Sequence, residues 1–198
     1  MKITDIRQQV KRADRFSVFV DGKYAFSFSQ DEILHLGLKI NQEFTKDELE
    51  QLKKSAVQDK AYDHSLNLIA RRPRSRWELE DYLKRKDYEQ EIIEKTLNKL
   101  SDAGYVDDLK FAQAWVRTRR LLKPTSKRRL QQELRQKRVD NEAIEKVLQE
   151  DEADELEVLR SLVERKAKRY PDKLKFMQYL LRQGYNYGDI KSVLDGAD

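Results

Sequence analysis

The sequence predicts a mainly α-helical protein with three tandem three-helix repeats in an elongated curved array, behind a small N-terminal β-hairpin and helix domain. The first observation is self-similarity, since the pattern at Ser75 and Leu83 returns 51 positions later at Ser126 and Leu134. A fainter third copy puts Leu180 a further 46 positions on. Periods of this size are typical of repeat proteins. The second observation is helical spacing, because apolar residues inside each copy lie four apart. An apolar stretch before each helix pair supplies the third helix.

These features divide the chain into four parts. We place the N-terminal domain at 1–58 and the three-helix repeats at 59–106, 107–151 and 152–198. Hydrophobic residues make up 38% of the 198 residues and charged residues 39%. The helices must therefore be strongly amphipathic if they are to bury a core.

The N-terminal domain contains a hairpin signal. Asp21-Gly22 separates two alternating aromatic segments, 16–20 and 24–28, and this dipeptide favours a tight turn. A two-residue loop and a three-residue loop pair the segments differently, and the three-residue loop puts all their even-numbered residues on one apolar face. Both registers stay open. Residues 3–10 are expected to add a strand. The aromatic face either stacks nucleic-acid bases or forms a small β core, and we favour the core because helical arrays need end caps.

Capping residues mark the helix starts. A Ser or Thr followed three residues later by Glu forms a capping box, and this pattern occurs at Ser29 with Glu32, Thr45 with Glu48 and Ser75 with Glu78. Ser126 and Asp172 take the equivalent place in the second and third repeats. The pair Asp107-Asp108 follows Gly104, a residue typical of helix ends. We assign this pair to capping, because no further ligands converge on it.

Positive charge is concentrated in the middle of the chain. The net charge is +5 overall, +1 over residues 1–60, +7 over residues 61–140 and −3 over residues 141–198. Ten Lys and Arg lie between residues 117 and 138 with Glu133 as the single acid. A positive field of this density attracts polyanions.

An outward helix face carries part of this charge. With Leu130 and Leu134 inward at the helical period, Arg128 and Arg135 point outward. Trp77 takes the position of Arg128 in the first repeat, and it either contacts a partner or packs against the N-terminal domain or a neighbouring helix. The candidate residues for binding a partner or nucleic acid are Arg71, Arg72, Arg74, Arg76, Trp77, Lys84, Arg85, Arg117, Arg119, Arg120, Lys127, Arg128, Arg129, Arg135 and Arg138.

The third repeat is acidic at its start, over residues 150–155. Leu174 holds the outward position there, and Leu181 follows seven residues later. The two leucines form an apolar stripe that either touches a partner or packs in the junction between repeats. We favour the junction.

Two motifs carry a resemblance to a known family. Arg-Ser-Arg-Trp-Glu-Leu at 74–79, and Gly-Tyr-Val-Asp-Asp at 104–108 followed by Phe-Ala at 111–112, resemble signatures of the RecX family. The resemblance spans about residues 60 to 195. One departure concerns the Lys-Gly pair that often ends the second helix of a RecX repeat. Here 86–87 is Lys-Asp and 137–138 is Lys-Arg, and we expect the helix-end geometry to be weakened there.

The resemblance implies a function. RecX proteins are regulators of the RecA recombinase built from tandem three-helix repeats. The resemblance therefore implies a non-catalytic protein that binds in the groove of the RecA–DNA filament. Such a protein mainly inhibits RecA strand exchange, ATP hydrolysis and coprotease activity. That places the chain in homologous recombination, DNA repair and the SOS response. The partners would be the RecA filament and, without sequence preference, single- and double-stranded DNA. End capping, groove coating and competition for DNA are all open as modes of inhibition.

Other classes of function find little support. The chain has no cysteine, and its two histidines, His35 and His64, lie outside any ligand spacing. There is no Gly-rich phosphate loop, so we expect neither a cofactor nor catalysis. No apolar run approaches the roughly eighteen residues of a membrane span, and the start lacks a secretory signal, so we expect a cytoplasmic protein.

The alternative is a helix-turn-helix transcription factor, because three-helix units also read DNA. Such a reader gathers its base contacts on one helix and usually dimerises. Here the basic residues are spread over several helices and no zipper-like helix is evident. We therefore favour the filament regulator and expect a monomer.

Overall fold

The computed structural model describes residues 1–196, which form two compact units. The first unit contains residues 1–74 and 79–105, and the second contains 75–78 and the described residues from 106 onward. The described chain is mainly helical, with one small antiparallel sheet, as the sequence predicts. None of its helices is long and apolar enough to cross a membrane.

The first unit begins with a three-stranded antiparallel sheet. Its strands are β1 (Ile3–Gln9), β2 (Arg12–Val20) and β3 (Lys23–Ser29), in the order β1-β2-β3. The expected additional strand is therefore confirmed.

The β2–β3 hairpin combines both registers that the sequence left open. Val20 pairs with Lys23 across a two-residue turn in which Asp21 and Gly22 have φ angles of 47° and 80°, as a tight primed turn requires. A bulge then shifts the register, so that Val18 pairs with Phe26. Beyond the bulge the strands follow the three-residue register. The core prediction for the hairpin is confirmed, because its buried side chains join one apolar cluster: Val18, Val20, Phe26 and Phe28.

Four helices follow the sheet: α1 (Gln30–His35), α2 (Lys46–Ile69), α3 (Arg76–Lys84) and α4 (Gln90–Asp102). Helix α2 is continuous across residue 58, where we placed a domain boundary, because its 24 residues contain neither Gly nor Pro. The Thr45 capping box starts it as predicted.

A buried arginine fixes the sheet to α2. Arg15 of β2 is 2% exposed and pairs with Asp59 at 3.0 Å and with Asp63. Asp59 also accepts hydrogen bonds from the backbone N–H and hydroxyl of Ser29, at 2.9 and 2.7 Å. Because each buried charge has a partner, the arrangement avoids the cost of an isolated ion.

The second unit is helical. Its helices are α5 (Asp108–Leu122), α6 (Lys127–Gln136), α7 (Asn141–Gln149), α8 (Glu155–Lys166), α9 (Lys173–Arg182) and α10 (Tyr187–Asp195), with a 3₁₀ turn at Ala167–Arg169. Helices α5 to α7 enclose one apolar cluster and α8 to α10 another.

The repeat register is confirmed by burial. The leucines at matched positions are fully buried: Leu79, Leu83, Leu130, Leu134 and Leu180. The helix ends also match. Asp87 and Arg138 occupy the positions where Gly184 stands in the third repeat, and all three have positive φ angles, at 59°, 51° and 94°. The expectation of weakened helix ends is wrong, because these two residues adopt the left-handed conformation without glycine.

Candidate functional site

The serine of the recurring motif builds a junction inside the second unit. Ser126 caps α6 by accepting the backbone N–H of Arg129 at 3.1 Å, and its hydroxyl donates to the carbonyl of Gln183 at 2.7 Å. Ser75 does the same at the start of α3, donating to the carbonyl of Lys137 at 3.0 Å. Both serines are fully buried. Each hydroxyl therefore joins the start of one helix to the end of the corresponding helix in the next repeat.

Carboxylates complete each junction. Asp108 accepts the backbone N–H of Arg76 at 2.8 Å, and Glu155 accepts that of Lys127 at 3.0 Å. Asp107 caps α5 through the N–H of Lys110 at 3.0 Å, which confirms the capping assignment of this pair. Burial raises the pKa of the Asp108 carboxyl, whereas the Lys110 N–H lowers the pKa of Asp107.

Gly184 lies where the second junction closes. A Cβ at this position would lie 2.7 Å from the Ser126 hydroxyl oxygen, and the φ angle of 94° is one that glycine alone adopts readily. A side chain at position 184 would therefore displace the Ser126 hydroxyl from its present position.

Two of the candidate basic residues, Arg120 and Lys127, are engaged beside the Ser126 junction. Arg120 donates to the carboxylates of Asp151 and Glu155, at 2.5 and 3.0 Å, and its side chain is 12% exposed. Burial opposes its charge, but the bonds to these carboxylates outweigh it and raise the pKa of Arg120. Lys127 donates through Nζ to the carbonyl of Asp151 at 2.9 Å. These contacts give Arg120 and Lys127 structural roles.

Arg119 is also engaged within the fold. Its Nε donates to Glu133 at 2.8 Å and its guanidinium lies 4.6 Å from the ring centroid of Trp115. The Trp115 indole N–H donates to the same carboxylate at 2.9 Å. Trp115 packs against the α5–α7 cluster. The single acid of the basic run, Glu133, therefore satisfies two neighbours.

Trp77 has an intramolecular contact. Its ring lies 5.5 Å from the guanidinium carbon of Arg138, within the second unit, and the indole is half-buried. A cation over an indole face is a favourable pairing. This contact supports packing against a neighbouring element, the second of the two interpretations, and it engages Arg138 as well.

The outward face of α6 is open to solvent. We define the α6 face as Arg128, Gln132 and Arg135, all of which are exposed. Within residues 1–196 neither arginine forms an ion pair. Arg117 on α5 is likewise exposed and unpaired in the described part of the chain, whereas Arg129 lies 3.8 Å from Glu133.

The remaining candidates lie around α3. Lys84 and Arg85 are exposed and pair with Glu80 and Asp81 one turn earlier, at 2.6 and 2.8 Å. Such surface pairs are worth about 1 kcal/mol or less, so a ligand can displace them. The others lie between α2 and the first turn of α3: Arg71 and Arg72 are exposed, and Arg74 and Arg76 are half-buried.

The third repeat differs from expectation in two ways. Leu174 and Leu181 are 65% and 42% exposed, so the structure does not bury them in a repeat junction. Residues 165–182 also contain seven Lys and Arg against one Asp, although the net charge over 141–198 is negative. Averaging over the whole repeat hid this basic segment, and a shorter charge window would have found it.

Metal coordination finds no support in the described side chains. Across residues 1–196, no three or more His, Asp or Glu side chains are grouped as a metal ion would need. The carboxylates near the junctions are instead engaged with backbone N–H groups and arginines.

Four family models match this chain, in the same order as the N-terminal domain and the three repeats. The RecX N-terminal domain model matches residues 1–45, and the models of the first, second and third RecX three-helix domains match 61–100, 107–148 and 152–194. The regulatory protein RecX of Listeria monocytogenes is 34% identical over 76% of this chain, which spans 56% of that relative's length. The regulatory protein RecX of Bacillus subtilis is 30% identical, and the match covers 98% of this chain and 76% of that relative's length.

Solved structures agree with these matches. A crystal structure of regulatory protein RecX superposes with a TM-score of 0.74 and 25% identity, covering 98% of both chains. RecX from Lactobacillus salivarius gives a TM-score of 0.59 and 28% identity over 70% of this chain and 95% of that one. On sequence and fold together, the chain belongs to the RecX family.

Proposed function

We propose that the chain is a non-catalytic regulator that binds the RecA–DNA filament and mainly inhibits RecA strand exchange, ATP hydrolysis and coprotease activity. The observation that carries the proposal is family membership, with N-terminal and three-helix domains matched in order along the chain. The filament is a cytoplasmic assembly, so the proposal also places the chain in the cytoplasm.

The α6 face is the proposed contact surface. Arg128 and Arg135 lie seven residues apart, or about 10.5 Å along a helix axis, so both point the same way. Fully buried Leu130 and Leu134 fix the helix beneath them. Two exposed guanidinium groups on a rigid helix suit DNA phosphates or an acidic protein surface, because neither needs to leave an existing partner.

The repeated junctions suit a repeating partner. The Ser75 and Ser126 junctions use equivalent bonds to join one repeat to the next. Modules linked in the same way can each meet an equivalent surface of a filament, and binding at several such surfaces gains avidity without any new kind of contact.

Binding to DNA alone is proposed to be independent of sequence. Exposed arginines that contact phosphates give affinity that falls steeply with salt and carries no base readout. A sequence-specific transcription factor would behave differently. It would prefer its own duplex by about a thousandfold or more over unrelated DNA.

A charge-reversal variant tests the contact surface. Arg128→Glu/Arg135→Glu should leave the fold intact, since exposed substitutions usually change stability by about half a kcal/mol or less. It replaces two attractive charges with two repulsive ones. We expect the concentration that inhibits RecA strand exchange to rise by at least about tenfold, which is about 1.4 kcal/mol.

Arg160→Glu/Lys191→Glu is the matched control. It makes the same change of net charge at two exposed positions outside the α6 face. The control should inhibit like the parent chain. If the Arg128/Arg135 variant is folded and inhibits at the parent concentration, the α6 face is not the contact surface.

A further inference from the structure

A cavity of about 500 Å³ opens where α9 begins in the third repeat. Its lining combines one aromatic ring, Tyr170, with three basic side chains, Arg169, Lys175 and Arg182. The matched family models assign no role to this cavity, and its lining shares no residue with the α6 face. The cavity presents an aromatic ring surrounded by cations.

The aromatic ring is held in place from beneath. Tyr170 stacks on Phe176 with centroids 5.2 Å apart and an interplanar angle of 8°, and on Tyr179 at 4.8 Å and 25°. Tyr170 is half-buried, so part of it is accessible from the cavity that it lines. A ring fixed in this way loses little conformational entropy when a second flat group stacks on it.

The cations around the ring are available to a ligand. Arg169 and Arg182 are exposed and form no ion pair with any described residue. Lys175 lies 3.9 Å from Asp172, the single acid of the lining. That carboxylate already accepts the backbone N–H groups of Leu174 and Lys175 as the cap of α9, at 2.9 and 3.1 Å.

We propose that this cavity binds single-stranded nucleic acid, with a base stacked on Tyr170 and the adjoining phosphates at Arg169, Lys175 and Arg182. An unpaired base offers a free face to an aromatic ring, whereas the faces of duplex bases are already stacked. The basic segment continues from the cavity back to Arg165, so further phosphates of a strand also meet cations.

This site is independent of the proposed filament regulation, and its test contains no RecA. The affinity of the full chain for fluorescein-labelled oligo(dT) is measured by anisotropy, beside an unrelated duplex of equal length and the mononucleotide dTMP as competitor. Tyr170→Leu removes the ring and should weaken oligo(dT) binding by at least about fivefold, because base–aromatic stacking contributes at least that much per base. Tyr170→Phe keeps the ring and should bind like the parent.

The charge arm uses Arg169→Glu/Arg182→Glu. This variant should also weaken oligo(dT) binding by at least about fivefold, while Arg160→Glu/Lys191→Glu, with the same change of net charge, should not. Both arms are repeated with Arg128→Glu/Arg135→Glu as the parent, which separates this site from the α6 face. Circular dichroism confirms that each variant is folded.

Three results would overturn the proposal. Equal oligo(dT) affinity for Tyr170→Leu, Tyr170→Phe and the parent would exclude stacking on this ring. A loss of duplex binding as large as the loss of oligo(dT) binding would mean that the cavity serves only as a general cation patch. Competition by dTMP at the same nucleotide concentration as oligo(dT) would assign the site to a free nucleotide instead of a strand.

Discussion

The serine of the repeat junction gives the most direct test of how the second unit is held together. Ser126→Ala removes a hydroxyl that makes two hydrogen bonds at once, to the N–H of Arg129 and to the carbonyl of Gln183. The first bond caps α6 and the second crosses the junction to the end of α9. The variant should therefore cost more than the loss of an ordinary helix cap.

The magnitude follows from the two bonds. Losing an N-cap costs typically about 1 kcal/mol. Leaving a backbone carbonyl without a partner costs about 1–3 kcal/mol when it is buried, and Gln183 is half-buried, so the lower part of that range applies. The sum is about 2–3 kcal/mol of unfolding free energy.

Asp172→Ala is the matched control. Asp172 caps α9 through the N–H groups of Leu174 and Lys175, but it is exposed and crosses no junction, so its loss should cost only about 1 kcal/mol. Both positions belong to the second unit, and so do the two tryptophans, Trp77 and Trp115. Urea unfolding followed by tryptophan fluorescence therefore reports on the right unit.

Comparing the two variants shows whether the bond from Ser126 to Gln183 contributes to the stability of the second unit. We expect Ser126→Ala to lower the unfolding free energy by at least about 1 kcal/mol more than Asp172→Ala does. Equal losses in the two variants would refute the idea that the junction bond contributes to stability.

The remaining predictions concern buried polar groups. Arg120→Ala leaves the carboxylates of Asp151 and Glu155 without their cation and should destabilise the second unit by about 3–5 kcal/mol in the same urea assay; a loss below about 1 kcal/mol would return Arg120 to the binding candidates. Tyr185→Phe removes a buried hydroxyl that has no hydrogen-bond partner within residues 1–196 and should leave the urea midpoint unchanged or raised, whereas a clear loss would reveal a missed partner. Burial, with nearby cations, lowers the pKa of His64, so the unfolded chain binds its proton more readily and stability should fall as the pH drops below about 6.5. His64→Asn should flatten this slope in unfolding measured by circular dichroism between about pH 5 and 8, and an unchanged slope would exclude His64 as its source.

The helices and their buried faces could be predicted from the sequence, because helical spacing and capping depend on residues that are close together in the chain. Matched leucines such as Leu83 and Leu134 repeat at helical spacing, and burial of every one of them is then a consequence of the helical period. Capping residues are equally local, since Ser75 and Asp107 each bond an N–H three residues ahead. These signals need no knowledge of tertiary structure.

The Ser126 junction could not be predicted from the sequence, because its hydrogen bonds join residues that are far apart in the chain. The pattern at Ser126 predicts a helix cap, yet nothing near it in sequence indicates that the same hydroxyl reaches Gln183, 57 positions later. The hairpin bulge between Val18 and Phe19 is likewise set by packing, since it lets the turn and the apolar face each keep their preferred register.

Charge density overstated the candidate binding surface. Arg120 belongs to the most basic run, but the acids that neutralise it, Asp151 and Glu155, lie 31 and 35 residues further along the chain. Counting charges in a window cannot detect such pairs. The structure instead singles out the few arginines, such as Arg128 and Arg135, that are exposed and unpaired within the described residues.

We propose that this chain recognises the RecA–DNA filament as an assembly. The most direct test is to measure its affinity, at one fixed salt concentration, for RecA assembled on single-stranded DNA, for RecA alone and for the same DNA alone. We predict that the filament is bound at least about tenfold more tightly than either component, because several modules engage it together. Binding to the filament no tighter than to the naked DNA would contradict it.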